Sequence, residues 1–133
     1  MLIRFAVENF LSFKDRAEFN MMAGKITRHR DHVALCSHKR ILKGAFLFGA
    51  NAGGKTNFIR AAAFAKNIVT NGIANTNFDK KYYRIDPAYR KKPGVFQFDL
   101  YFNGHFYSYG FAVSYLTASI EEEWLYLIDD KEY

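Results

Sequence analysis

One stretch near the middle of the chain, Gly49-Ala50-Asn51-Ala52-Gly53-Gly54-Lys55-Thr56, constrains the fold more than any other. It fits the pattern G-x-x-x-x-G-K-[ST] in full. The preceding run, Ala45-Phe46-Leu47-Phe48, is short, apolar and aromatic, which predicts a buried strand. From Lys55 to about Asn71 the pattern is helical, and Gly72 follows where a C-terminal cap is expected. The apolar residues predicted to share one face of this helix are Phe58, Ala61, Ala62, Ala65, Ile68 and Val69.

The residue types in this loop suit the binding of phosphate. Glycines allow successive backbone N–H groups to approach an anion closely, and a helix that begins there directs its positive dipole end toward the same anion. We expect Lys55 to reach the β- and γ-phosphates of a nucleotide and the Thr56 hydroxyl to bind Mg²⁺. ATP and Mg²⁺ are therefore the predicted cofactors, although the loop does not read the base. The alternative is a glycine-rich turn that binds nothing.

Composition limits the class of protein. The chain has 133 residues, enough for one core, and with 50% hydrophobic and 24% charged residues it is not a disordered tail. Its 19 basic residues against 13 acidic ones favour anionic ligands or partners. Cys36 is the single cysteine, which excludes an intrachain disulfide and favours a reducing compartment. We expect a soluble cytoplasmic protein, because no apolar run is long enough for a membrane span and Arg4 and Glu8 are incompatible with a signal peptide.

The chain begins with an alternating pattern from Leu2 to Phe10. Ile3, Phe5 and Val7 are expected on the buried face of this strand, with polar residues on the other face. Residues 9–15, Asn-Phe-Leu-Ser-Phe-Lys-Asp, interrupt the alternation and predict a turn, and residues 17–21 resume extended structure.

The first strand with its Asn-Phe-x-Ser-Phe turn and the loop G-x-N-x-x-G-K-T-N together resemble the ATP-binding heads of the RecF, SMC and ABC-type group. Within that group the chain is most similar to bacterial AAA-domain ATPases linked to abortive infection and phage defence, which are relatives of the OLD nucleases. The resemblance implies an α/β P-loop NTPase, as the N-terminal half of an ABC-type head with an antiparallel β lobe. We expect residues 1–75 to form the phosphate-binding core and residues 76–133 the β lobe.

The resemblance also implies site residues and partners. The predicted nucleotide contacts are Gly49, Asn51, Ala52, Gly53, Gly54, Lys55, Thr56 and Asn57. Asn9, Ser12 and Phe13 are expected near the nucleotide, and an ordinary turn with a packed phenylalanine is the alternative for them. In such heads two copies sandwich ATP, so a second head or the remaining C-terminal half of the ATPase is the expected partner. DNA or RNA is a further candidate partner.

Residues 24–43 are basic and contain three of the four histidines. His29, His32, Cys36 and His38 provide enough nitrogen and sulfur for a zinc site, but their spacing matches no standard ligand pattern. A solvated basic connector is the preferred interpretation, and contact with nucleic acid is a further alternative. A second basic cluster, Arg90-Lys91-Lys92, lies in a connector that we also expect to be solvated.

The last third of the chain predicts an antiparallel meander. Phe96, Phe98, Leu100 and Phe102 alternate with polar residues, Asn103-Gly104 is a strong hairpin signal, and strands follow over 105–114 and 120–128. Stacking on nucleic acid is the alternative for three tyrosines whose alternating strand positions are more typical of core or cross-strand pairs, Tyr101, Tyr107 and Tyr109. Glu121-Glu122-Glu123 predicts a solvated edge, since neighbouring strand residues face opposite ways.

Hydrolysis of ATP requires an acidic Mg²⁺ ligand after an apolar strand and a residue that positions water. Leu125-Tyr126-Leu127-Ile128-Asp129-Asp130 comes nearest to this pattern, but it lies in the meander. We therefore expect an ATPase half that is inactive alone and needs motifs from another segment or chain. A non-catalytic nucleotide- or nucleic-acid-binding module is the alternative. A small nucleotide kinase would need an arginine-bearing lid helix, which the strand pattern does not provide.

Overall fold

Seven strands and one α-helix form the regular structure of the residues that the computed structural model describes, which are 1–25, 28–51 and 53–128. In chain order these elements are β1 (Leu2–Glu8), β2 (Ala17–Asn20), β3 (Val33–Cys36), β4 (Lys39–Leu42), α1 (Lys55–Asn71), β5 (Gly94–Phe102), β6 (His105–Ser114) and β7 (Ser119–Ile128). Short 3-10 turns lie at Arg30–His32, Ile73–Asn75 and Pro87–Lys91. No helix in the described part of the chain is both long and apolar enough to cross a bilayer.

The main sheet has five strands in the order β2-β1-β5-β6-β7, and every neighbouring pair is antiparallel. The predicted meander is confirmed in β5, β6 and β7, and the hairpin turn contains Asn103 and Gly104 at φ 49° and 85°. Both residues thus adopt the left-handed conformation that a two-residue hairpin of this kind requires. Strand β1 belongs to the predicted phosphate-binding core (residues 1–75) and β5 to the predicted β lobe (residues 76–133). Because these two strands pair, the two predicted parts share one sheet. The fold is mixed α/β with antiparallel sheets.

Helix α1 covers one face of this sheet and forms the main core with it. The predicted helix and its Gly72 cap are confirmed, and Gly72 N donates to Ile68 O at 3.0 Å. The predicted face is wrong in part, since Val69 is 51% exposed whereas Phe64 is buried. The buried helix positions are Ala61, Phe64, Ala65 and Ile68. This is an i, i+3, i+4, i+7 set, so the apolar stripe is rotated toward Phe64 and away from Val69.

A β-bulge changes the direction of one predicted core residue. The pairing of β1 with β5 shifts register between Leu2 and Arg4, so that Ile3 is the extra residue. Phe5 and Val7 lie in the main core, whereas Ile3 packs in a second cluster with Ile41. The prediction that Ile3 shares their face is therefore wrong, because an alternating sequence does not reveal a bulge.

Residues 33–42 form a hairpin, β3–β4, within the segment predicted as a basic connector. Cys36 is buried in the second cluster with Ile3, Ile41 and Phe106. The rings of His29 and His32 are 5.6 Å apart on the surface. Within the described residues, no three histidine, cysteine or acidic side chains lie together as a metal-binding group.

Candidate functional site: a phosphate loop and its surroundings

The segment that precedes the glycine-rich loop differs from its prediction. Residues 45–48 are not a strand, and no described strand pairs with them. Phe46 and Phe48 are 87% and 89% exposed, and their rings contact each other with centroids 6.2 Å apart. A strand needs a neighbour for its backbone hydrogen bonds, so an apolar sequence alone does not produce one.

The loop itself is a tight turn that depends on glycine. Gly53 N donates to Ala50 O at 3.1 Å, and a Cβ on Gly53 would lie only 3.0 Å from that oxygen. Gly54 has φ +85°, the left-handed conformation, and it is the residue from which α1 begins. Ala52, another predicted contact, lies outside the described residues. The backbone therefore favours glycine at both positions, of which only Gly54 is fixed by the motif.

Lys55 folds back over this loop. Its ammonium Nζ donates to Gly49 O at 2.5 Å and to Ala50 O at 2.6 Å. These are charge-assisted hydrogen bonds, and they place a cation inside the bend of the loop. The side chain belongs to the first residue of α1, so helix and loop fix its position together.

The first turn of α1 faces the same region. No side chain in the described part of the chain caps this end of the helix, so its leading N–H groups lack an intrahelical acceptor. The helix dipole adds positive potential at that end. The adjoining cavity has a volume of about 340 Å³, and its lining consists of Asn51, Gly53, Gly54, Lys55, Thr56 and Asn57. Such a site suits an anion of the size of a phosphate group.

The turn after β1 lies against the loop, as the resemblance implied for two of its residues. Asn57 Nδ2 donates to Ser12 Oγ at 3.0 Å. A Cβ on Gly54 would lie 3.6 Å from Ser12 Oγ and 3.8 Å from Phe13 Cζ. The structure thus brings Ser12, Phe13 and Asn57 to the edge of the loop, and their contact with a nucleotide stays a prediction.

Asn9 is directed elsewhere. Its side chain is buried, and its Nδ2 donates to Tyr89 O and Lys92 O at 2.9 Å and to Pro93 O at 3.1 Å. Its Oδ1 accepts from Tyr83 N at 2.9 Å. The polar atoms of Asn9 therefore organise the loop at 83–93, and a place beside the nucleotide remains untested for it. The sequence around Asn9 predicts only a turn, and it contains no signal for these long-range hydrogen bonds.

A groove beside the loop was not predicted from the sequence. It has a volume of about 270 Å³ and is lined by Phe13, Ala17, Glu18, Phe19, Leu47, Phe48, Gly53, Gly54, Lys55 and Phe58. Its carboxylate, Glu18, accepts from Arg16 Nε at 2.6 Å and from Arg4 Nη1 at 3.4 Å. These bonds hold the pKa of Glu18 below its usual value, and the hydrogen bond from Arg16 has the largest effect. Glu18 is therefore an ionised, paired carboxylate near the loop.

The remaining candidates lie away from the loop or outside the described residues. Asp129 and Asp130 belong to the latter group. The run Glu121-Glu122-Glu123 is exposed on the edge strand β7, as predicted. Tyr109 packs on Phe111 and donates to Glu123, and burial together with this carboxylate raises its pKa to about 12. Such contacts agree with a structural role for this tyrosine.

A protein-family model matches the part of the chain that contains this site. A model described as "AAA domain, putative AbiEii toxin, Type IV TA system" matches residues 45–133. The match includes the phosphate loop, α1 and the meander, and it covers about two thirds of the chain. Searches of curated proteins and of solved structures gave no significant match.

Proposed function

The chain belongs to this AAA-domain family, and from that premise we propose that residues 49–56 bind the triphosphate of a nucleotide, with ATP as the expected ligand. The observation that carries the proposal is the position of Lys55, whose ammonium group lies within the bend of the loop at 2.5 Å from Gly49 O. A cation held there, beside an uncapped helix N-terminus, is what a polyphosphate anion requires. The family match supports nucleotide binding independently, because it rests on sequence rather than on geometry.

The residues present fit both cofactors. A Cβ on Gly53 would be in tight contact with Ala50 O, so glycine at this position helps to keep the loop amides accessible to phosphate oxygens. Lys55 would exchange its carbonyl partners for phosphate oxygens, and Thr56, which lines the cavity, would supply a hydroxyl to Mg²⁺. When bound, Mg²⁺ would neutralise charge on the phosphate oxygens.

The finer assignment concerns the ABC-type group. We propose that this chain is the part of a RecF-, SMC- or OLD-like head that carries the phosphate loop, and that hydrolysis uses residues from a second head or from a C-terminal half. In the described lining of the phosphate cavity no carboxylate is present, and Glu18 in the neighbouring groove is already bonded to two arginines. An acidic ligand and a residue that positions water would then come from the partner.

Nucleotide titration of a lysine variant tests the binding proposal. Lys55→Ala removes a charged hydrogen bond worth about 1.5–3 kcal/mol, so we expect ATP affinity to fall about 10- to 150-fold. Lys66→Ala is the matched control, because Lys66 is an exposed residue of the same helix and its loss changes the net charge equally. Calorimetry or fluorescence with labelled ATP measures both variants. Equal affinities for wild type and Lys55→Ala would contradict the proposal.

A non-catalytic binding module is the second candidate, and the pairing of Glu18 with Arg16 favours it for the chain alone. The measurement is phosphate release by the chain in Mg²⁺-ATP, first alone and then with a polypeptide that carries the missing acidic motif. Turnover that appears only in the mixture supports the half-ATPase. Tight binding with no turnover in either case supports the module.

The biological setting is a further proposal, which rests on the toxin–antitoxin description of the family. We propose a role in abortive infection or phage defence. Cells that express the intact gene should plate phage less efficiently than cells with Lys55→Ala. Equal plating across a phage panel would contradict this setting without affecting the proposal of nucleotide binding.

A further inference from the structure

The connector between α1 and β5 is one of two strongly basic segments of the chain. Residues 79–93 contain six basic residues and two acidic ones, whereas the whole chain has an excess of six. Its exposed basic residues are Lys80, Arg84, Arg90, Lys91 and Lys92. The exposure of these side chains agrees with the predicted solvated connector, while the backbone of the segment makes hydrogen bonds that the sequence did not predict.

Hydrogen bonds to the turn after β1 hold the connector in place. Asn9 binds the backbone at Tyr83, Tyr89 and Lys92, as described above. Leu11 N donates to Lys81 O at 2.8 Å, and Arg84 N donates to Leu11 O at 2.9 Å. These bonds involve backbone atoms of the connector, so its basic side chains extend from a fixed frame.

Two aromatic rings lie among these charges. The rings of Tyr83 and Tyr89 meet edge to face with centroids 5.3 Å apart, and both residues are partly exposed. Lys92 Nζ lies 4.0 Å from the centre of the Tyr89 ring, and Lys14 Nζ lies 6.0 Å from it. We name this group the basic–aromatic surface, and its members are Lys14, Tyr83, Arg84, Tyr89, Arg90, Lys91 and Lys92.

We propose that the basic–aromatic surface binds single-stranded nucleic acid. Clustered lysine and arginine side chains match a phosphate backbone, and the adjacent tyrosine rings offer surfaces on which unpaired bases stack. A duplex would not use the rings, because its bases are already stacked on one another. An acidic peptide would satisfy the charges but leave the exposed parts of Tyr83 and Tyr89 without a matching group.

The surface is separate from the phosphate loop. The turn at 9–15 lies between them, since Ser12 contacts Asn57 on one side and Leu11 binds Arg84 on the other. The inference therefore does not rest on nucleotide binding, and Lys55→Ala should leave it unchanged.

Fluorescence anisotropy with a labelled oligothymidylate tests the proposal on the full chain. We expect the double variant Arg90→Ala/Lys91→Ala to bind about tenfold more weakly at about 0.15 M salt, and its slope of log K against log salt to be smaller by about 1.4. The matched control is Lys25→Ala/Arg28→Ala, which removes the same charge from exposed positions in the other basic segment. Thermal unfolding of both variants checks that they remain folded.

A second variant addresses the rings. Tyr83→Leu should reduce affinity for the oligothymidylate about fivefold or more and leave the salt slope unchanged, because the loss of a base–aromatic stack releases no counterions. Equal weakening by the two double variants would overturn the proposal, since bulk charge would then explain the binding. Tighter binding of a duplex or of polyglutamate than of the oligothymidylate would also overturn it, as would no binding by wild type.

Discussion

Two irregular stretches flank helix α1, and they are held in very different ways. The connector 78–93 is fixed by the buried Asn9, by backbone bonds to Leu11, and by Phe78, whose ring meets Phe64 at 5.3 Å between centroids. The described part of segment 44–54 has the turn at Gly53, the two bonds of Lys55, and two phenylalanines that are almost fully exposed. The first stretch is anchored to the core through Phe78 and Asn9, and the second lies on the surface.

The difference shows which of the two stretches contributes to stability. Buried side chains and satisfied buried polar groups contribute most of the folding free energy, so the connector belongs to the cooperative unit. The glycine-rich loop has few buried contacts, so a change of partners by Lys55 would not require α1 to unfold. The predictions below test this separation.

The largest expected effect is on the free energy of unfolding, and it is tested by substituting one phenylalanine from each region. Phe64→Ala removes a ring that packs on Phe10, Phe78 and Phe96, and we expect the free energy of unfolding to fall by about 3–5 kcal/mol. Phe46→Ala, at a position 87% exposed, should change it by less than about 0.5 kcal/mol. Urea denaturation measures both. A loss above about 2 kcal/mol for Phe46→Ala would show that segment 44–54 is part of the core.

Asn9→Ala should have the next largest effect. It leaves three carbonyl groups of the connector, at Tyr89, Lys92 and Pro93, without the buried side chain that donates to them, so we expect a loss of about 2–4 kcal/mol in the free energy of unfolding. Asn71→Ala is the control, because among the bonds of the described residues the exposed Asn71 side chain donates only to the Asn67 side chain, at the surface. A similar small loss for both variants, measured by urea denaturation, would contradict the assigned role of Asn9.

Gly54→Ala tests the strain of the phosphate loop. A side chain at φ +85° costs about 1–2 kcal/mol, which should appear in the free energy of unfolding. Gly44→Ala is the matched change, since no atom lies within 4 Å of its added Cβ and its φ is not positive. If thermal melts show the same shift for both glycines, the loop does not hold the conformation described.

The smallest expected effect is a dependence on alkaline pH. Tyr115 OH donates to Asn9 O at 2.6 Å, and burial raises the pKa of Tyr115. The unfolded chain loses this proton near pH 10 while the folded chain keeps it, so stability is full below about pH 10 and falls above it. At pH about 10.5 the loss is about 0.8 kcal/mol.

Tyr115→Phe should remove this part of the decline in stability above about pH 10. The control Tyr126→Phe, at an exposed position, should leave the decline unchanged. Urea denaturation at pH about 8 and about 10.5 gives the comparison. An identical decline in wild type and Tyr115→Phe would refute the assignment to Tyr115.

The sequence predicts those elements whose pattern is local. Strand β1, helix α1 with Gly72, the Asn103-Gly104 hairpin and the meander follow from periodicity and turn chemistry, and all are present. The glycine-rich loop has a tight turn at Gly53 and a left-handed Gly54, and phosphate binding there stays a prediction.

Features that depend on distant partners were missed. The extended segment 45–48 lacks a paired neighbour among the described strands, and a bulge directs Ile3 away from Phe5. Asp99 lies on the strand face opposite Phe98, as the alternation predicts, but its burial and its bonds to Arg4 and Ser108 on neighbouring strands were not predicted. A single sequence does not contain such pairings, since they depend on which strands become neighbours.

The ammonium group of Lys55 has one more consequence. Two inward-facing carbonyl oxygens would otherwise repel both each other and an arriving anion, and the tethered cation neutralises that repulsion in advance. Binding of an anion would then require Lys55 to exchange its two carbonyl partners for the anion, and it would not require the loop to refold. Entry and departure of the ligand would require the rotation of a single side chain, while the strand-and-helix framework stays still.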